Sequence, residues 1–307
     1  GGTIDKLESI GAFKAELSYD DFINQLNDIG VAIATPTLDV VPADKKIYAL
    51  RDVTGTVASI PLIASSIMSK KIATGADKIV LDVKVGNGAF VKTKEEAIEL
   101  SKMMIKIGNY FGKETVAVIS NMNYPLGFKV GNALEVLEAI DILSGSGNSN
   151  LRELCIVLSS YMVSLGKSIP VEEARILVTE KLDKGEALNK FKEMIARQQG
   201  DIKQLSVSNN IAELKAGKPG YLNNINALKV GRLSMELGAG RKQKEDGIDF
   251  GVGIEFLKEI GDYVTEEDVI VRLYLGNAKV DLDSLRDLFE ITETEITNEP
   301  LIYGIVK

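Results

Sequence analysis

The chain has 307 residues, and its 36 Lys and Arg against 44 Asp and Glu leave a formal charge of −8. Hydrophobic residues at 45% and charged residues at 26% suit a folded chain with a substantial core and exclude whole-chain disorder. The acidic balance argues against a nucleic-acid binder, and the lack of any His beside a lone Cys155 excludes Ser-His-Asp and Cys-His nucleophiles, His-based zinc and an internal disulfide.

In chain order, Ser18 before Tyr19, Phe22, Ile23 and Leu26 predicts an N-capped helix that stops at Gly30. Residues 31–33 predict a short strand cut off by Pro36, and residues 43–50 a helix with Asp44 in its first turn. Ser59 to Lys71 predicts a second helix, with Pro61 in its first turn and Lys70-Lys71 opposing the negative pole of the dipole. Residues 78–85 are β-branched and predict a strand closed by a Gly86-Asn87-Gly88 turn. Thr93 and Glu96 form a capping-box pattern opening a helix that carries Ala97, Leu100, Met104 and Ile107 on one face. A strand over 115–120 follows, then helices over 132–143, 151–165 and most of 170–199. Strand, helix, strand in this order predicts parallel pairing. Past Leu222, the short runs 269–275, 291–296 and 301–306 predict a C-terminal α+β part with an antiparallel element. No apolar run approaches the roughly 20 residues of a bilayer-crossing helix, so no membrane association and a cytoplasmic setting are expected.

Ser66 and Lys70 are four apart on one predicted helix and share a face; Arg51 closes the preceding segment. A guanidinium, a hydroxyl and an ammonium all donate hydrogen bonds, and together they could read a planar ring bearing carbonyl oxygens. The same three residues also fit a salt-bridging Arg, a surface Ser and a dipole-compensating Lys, and spacing alone favours this second reading. Gly1-Gly2-Thr3 at a helix start could hold an anion through N–H groups and the Thr hydroxyl, or be a terminus without a role. Glu135 and Glu138, three apart, could bind a cation with carbonyls of the 126–129 loop, or form a solvated acidic face.

The segments Gly1–Ile10, Tyr48–Thr54, Ser59–Lys71, Leu81–Phe90, Gly131–Val136 and Gly238–Arg241 resemble the pyrimidine-nucleoside phosphorylase family, which includes thymidine phosphorylase. The resemblance covers essentially the whole chain. It implies an α/β fold: a mixed sheet flanked by helices, part of a small helical domain, and a C-terminal α+β subdomain. The expected division is 1–36 (start of the α/β domain), 37–74 (helical part), 75–224 (central α/β domain) and 225–307 (C-terminal subdomain). It also implies a homodimer, no organic cofactor, and phosphate as co-substrate. The implied reaction is reversible phosphorolysis of uridine, deoxyuridine or thymidine to free base and the pentose 1-phosphate. By motif, Arg51, Ser66 and Lys70 would hold the pyrimidine edge, Tyr48 would line the base pocket and Thr3 would bind phosphate. Leu126, Lys129 and Glu138 would contribute to a potassium site, and no catalytic acid is assigned. The family's chain begins well before Gly1, in a part that carries a Lys-His-Ser phosphate loop, so this polypeptide alone is expected to be inactive. The alternatives are an anthranilate phosphoribosyltransferase-like enzyme, for which no acidic diphosphate–magnesium motif is present, and a non-catalytic scaffold.

Overall fold

The computed structural model describes residues 2–35, 41–44, 46–47, 50, 56, 59–147, 149–241, 243, 245–295 and 299–307. In chain order the elements are α1 (Thr3–Glu8), α2 (Tyr19–Ile29), α3 (Ile60–Ala73), β1 (Lys78–Val85), α4 (Lys94–Tyr110), β2 (Glu114–Asn121) and β3 (Lys129–Val130). Then come α5 (Asn132–Leu143), α6 (Ser149–Lys167), α7 (Val171–Asp183), α8 (Glu186–Arg197), β4 (Asn210–Lys215), β5 (Gly220–Ile225) and α9 (Ala227–Leu237). The chain closes with β6 (Gly253–Phe256), β7 (Tyr263–Val264), β8 (Val269–Leu275), β9 (Phe289–Thr292) and β10 (Ile302–Val306). Two compact units result, Gly1–Thr35 with Tyr124–Ser149 and Lys181–Glu299, and Pro36–Asn123 with Asn150–Glu180 and Pro300–Lys307. Among the described residues no single helix is long and apolar enough to cross a membrane.

The second unit is built on a βαβ turn of chain. β1 runs parallel to β2, in register from Lys78 opposite Glu114 to Val85 opposite Asn121. α4 connects them and starts as expected: the Thr93 hydroxyl accepts the Glu96 N–H at 3.2 Å and the Glu96 carboxylate takes the Thr93 N–H at 3.3 Å. Alternation along β1 sends Ile79, Leu81, Val83 and Val85 to one face, where they meet Ala97, Leu100 and Met104 of α4 and Ala64 and Met68 of α3. Met68 and Met104 are essentially fully buried, each contributing roughly 1.5–3 kcal/mol of burial free energy. β10 pairs antiparallel with the other edge of β2, which makes the sheet mixed. The sequence grouped residues 301–306 with the C-terminal part; their pairing partner is instead a strand some 180 residues upstream. Alternation identifies a strand without identifying its neighbour.

In the first unit, β3, β6, β8 and β4 form one antiparallel sheet, in that order, and β7, β5 and β9 another. Leu222, Leu233, Val252, Ile254, Leu273 and Ile291 fill the core they share with α9. A second core joins Leu7 and Ile10 of the N-terminal segment to Val136 of α5 and Met194 and Ile195 of α8. α2 begins at the Ser18 cap and ends at Gly30, whose φ of 78° lies in the left-handed region that favours glycine.

Residues 31–33, predicted as a strand, pair with no strand among the described residues. Their backbone bonds run to two buried side chains: Gln25 Nε2 donates to the Val31 carbonyl at 3.0 Å, and Gln198 serves Ile33. Gln198 Oε1 accepts the Ile33 N–H at 3.2 Å, and its Nε2 donates to the Ile33 carbonyl at 2.8 Å. The same amide donates to the Lys14 carbonyl at 2.9 Å and accepts from Gln25 Nε2 at 3.1 Å. Gln198 therefore replaces a ladder partner, satisfying both polar groups of an extended residue.

Candidate functional site

α3 is apolar on most sides, and this suits its packing against α4, while it carries few charges until its last turn. Ser59 precedes it, Pro61 occupies its first turn, and Lys70 and Lys71 sit in its last turn. Ser66 lies between Ala64 and Met68 and is itself buried. One helical turn on, Lys70 Nζ donates to Ser66 Oγ at 3.0 Å and to the Ser66 carbonyl at 2.9 Å. Lys70 also forms an ion pair with Asp44, whose side chain is only 11% exposed. Because Ser66 Oγ accepts from Lys70, the Ser66 hydroxyl proton is left to be donated elsewhere. The chemistry on offer is an ammonium and a hydroxyl donor, side by side, with an adjacent carboxylate.

Of the four residues that the resemblance assigns to the pyrimidine, the structure brings Ser66 and Lys70 together; Tyr48 and Arg51 lie outside the described residues. Asp44 was missed as a site residue. In the sequence it reads as a first-turn acid of a helix, and residues 42–44 and 46–47 are indeed helical. Its contact with Lys70 spans 26 positions, beyond any local spacing rule.

Thr3 is exposed at the first position of α1, in the other unit. The following turn is anchored by charge: Asp5 accepts the Gly2 N–H at 2.8 Å and meets Arg241 Nη1 at 3.0 Å, and Lys6 pairs with Glu135 at 3.2 Å. Partial burial pulls the Asp5 carboxyl upward, but the Gly2 N–H and the Arg241 guanidinium outweigh it and hold the group below its ordinary value.

Of the residues assigned to potassium, Glu138 and Lys129 meet at the loop before β3. Glu138 of α5 is buried; its Oε1 accepts the Phe128 N–H at 2.6 Å and its Oε2 the Lys129 N–H at 3.3 Å. Gly127 passes so close that a Cβ there would come within 2.2 Å of Oε2. Burial pushes the Glu138 carboxyl above its usual range, and the two N–H groups and the Lys129 ammonium offset this only in part. The Lys129 ammonium itself is drawn to Asp141, 2.9 Å away. Phe128 gives its carbonyl to Phe256 N–H at 2.7 Å, so the alternation of an antiparallel pair turns the polar groups of Lys129 toward Glu138. An all-oxygen donor set of two carbonyls and a carboxylate fits a hard cation. Glu135 does not join it: its carboxylate goes to Lys6 and to the Gly131 N–H at 3.3 Å. The two glutamates diverge. Gly86-Asn87-Gly88 forms the expected tight turn after β1, Asn87 N–H donating to Asn123 Oδ1 at 2.9 Å.

Residues 1–188 match the family described as "Glycosyl transferase family, a/b domain". Residues 221–291 match the "Pyrimidine nucleoside phosphorylase C-terminal domain". The pyrimidine-nucleoside phosphorylase of Staphylococcus haemolyticus is 49% identical over 100% of this chain, which spans 72% of that relative. The Geobacillus stearothermophilus enzyme of the same name is 48% identical over 99% of this chain and 72% of its own length. The Bacillus subtilis one is 51% identical over 92% of this chain and 66% of its own length. The chain belongs to the pyrimidine-nucleoside phosphorylase family.

Proposed function

We propose that this chain serves the reversible phosphorolysis of pyrimidine nucleosides, uridine, deoxyuridine and thymidine among them. In that reaction a phosphate oxygen attacks C1′ of the sugar, the bond from C1′ to the base nitrogen breaks, and the bonding electrons leave with the base. Free base and pentose 1-phosphate result. The observation that carries the reading is the Ser66–Lys70 pair, a buried hydroxyl and a partly exposed ammonium 3.0 Å apart on one helix face. Negative charge grows on the base oxygens as the glycosidic bond loosens. Donors to those oxygens, Lys70 and Ser66 and, by the resemblance, Arg51, would then bind the transition state more tightly than the ground state. Tyr48 would line the base, and the Thr3 hydroxyl would take a phosphate oxygen.

A potassium ion would be held by Glu138 and the Leu126 and Lys129 carbonyls; when bound it supplies positive charge that fixes the loop. The working unit is proposed to be a homodimer in the cytoplasm. The test is calorimetric binding of uracil to this chain, paired with product analysis for uridine with and without inorganic phosphate. Uracil binding that is lost in Lys70→Ala supports the reading. Cleavage that proceeds without phosphate, or a requirement for a phosphoribosyl diphosphate, would sink it.

A further inference from the structure

An ammonium has three N–H donors. Lys70 has three acceptors among the described residues, Ser66 Oγ, the Ser66 carbonyl and the Asp44 carboxylate, and a base oxygen would take the place of one of those on Ser66. Two of these acceptors sit on Lys70's own helix, one turn back, and carry no net charge. Asp44 is different. It reaches Lys70 from a separate helical segment, it is mostly withdrawn from water, and it carries a full opposite charge. We infer that Asp44 is the specificity-determining partner of this site: it pins the Lys70 ammonium against Ser66 and cancels its charge, so that the pair selects a neutral pyrimidine over an anionic one.

The physical argument has two parts. A four-carbon stem holds many rotamers, and a charge-assisted contact from a second element fixes one of them, which preorganises the donors before the base arrives. The second part concerns charge. A lone ammonium attracts carboxylates and phosphates as readily as carbonyl oxygens, whereas an ammonium paired with a carboxylate draws a second anion far less strongly. Uracil is neutral. Orotate is the same ring carrying a carboxylate, so it reads the charge of the site directly.

This inference rests on the base-site reading above, and the experiment separates the two. Uracil and orotate are titrated into the full chain and into Asp44→Asn, which keeps the shape of the side chain and removes its charge. The expected result is weaker uracil binding with stronger orotate binding, a shift of about tenfold or more in their ratio. A purely structural role would weaken both ligands together. An unchanged ratio overturns the proposal.

A second measurement needs no pyrimidine. Acetylation of the Lys70 amine by acetic anhydride, followed by peptide mass spectrometry, is expected to run several-fold faster in Asp44→Asn than in the parent, with the other lysines as internal controls. If the parent chain binds neither ligand, the functional reading falls, and equal Lys70 labelling in the two proteins then refutes the pairing as well. Binding by the parent with an unaltered ratio in Asp44→Asn leaves the functional reading standing and removes only the role of Asp44.

Discussion

Replacing Glu138 by Ala removes the acceptor of two backbone N–H groups at once, those of Phe128 and Lys129. A hydrogen bond to a charged group contributes about 1.5–3 kcal/mol, and orphaning a buried donor costs about 1–3 kcal/mol. The Phe128 bond at 2.6 Å counts in full, whereas the Lys129 bond at 3.3 Å is long and counts for less. Truncation also relieves the cost of burying a carboxylate. The balance is a loss of about 3 kcal/mol. Glu138→Gln keeps one acceptor oxygen but turns an NH2 toward the second N–H, so about half that loss is expected. Urea unfolding at neutral pH with an unchanged slope measures both. Equal losses for Ala and Gln, or a loss in Ala below about 1 kcal/mol, would show that the loop does not hang on this carboxylate.

The same pair tests a sign. Burial, the dominant influence, raises the Glu138 carboxyl above its ordinary 4.5, so the folded chain holds this proton more tightly than the unfolded chain does. Stability from this group is therefore complete below about 4.5 and declines as pH climbs through the raised value. Gln has no such proton. The margin of the parent over Glu138→Gln should widen as pH falls from neutral toward 4.5. A margin that narrows instead would mean that the N–H groups and Lys129 outweigh burial.

Gln198→Ala should cost about 3 kcal/mol, because it strips these polar partners from Ile33, removes the Gln198 donor from the Lys14 carbonyl and takes one of two acceptors from the Gln25 amide. Urea unfolding and amide exchange at Ile33 report it, and an Ile33 amide as protected as in the parent would refute the account. Arg241→Gln breaks the pair with Asp5, which is exposed on its Arg side, and should cost less than about 1 kcal/mol near neutral pH. Asp5 is held below its ordinary value, so its contribution is present above about 3.8 and is lost as pH falls through its folded value. Arg241→Gln should therefore flatten the acid limb of the stability profile, and an unchanged limb would exclude Arg241 as a cause.

What the sequence could reveal follows the range of the interactions. The Thr93–Glu96 box, the Ser18 cap, the Gly30 stop and the Ser66–Lys70 pair all act within one turn of helix, and each stands where spacing puts it. The parallel β1–β2 pair was legible because the order strand, helix, strand leaves little choice. The partner of β10 was not, because antiparallel pairing at a sheet edge leaves no mark on the strand that joins it. Residues 31–33 carry a strand's composition, yet an amide from position 198 supplies what a neighbouring strand would have.

The glutamates of α5 show why site chemistry is harder to read than fold. Three positions apart on a helix places two side chains on roughly one face, and on that rule Glu135 and Glu138 form a cation pair. Each carboxylate instead answers to what approaches its own turn. Glu135 stands in the first turn of α5, where it accepts the Gly131 N–H and reaches Lys6. Glu138 lies one turn deeper, where a glycine lets a loop press its N–H groups onto the carboxylate. The same logic governs Lys70. Its helix supplies Ser66, a neighbour that the sequence announces, while the fold supplies Asp44, a neighbour that it does not. A helix can therefore fix which donors face a ligand, but the net charge that ligand meets is set by residues from elsewhere in the chain. On the proposed reading, specificity for a neutral base over an anion is then a tertiary property, even though the two proposed donors are four residues apart.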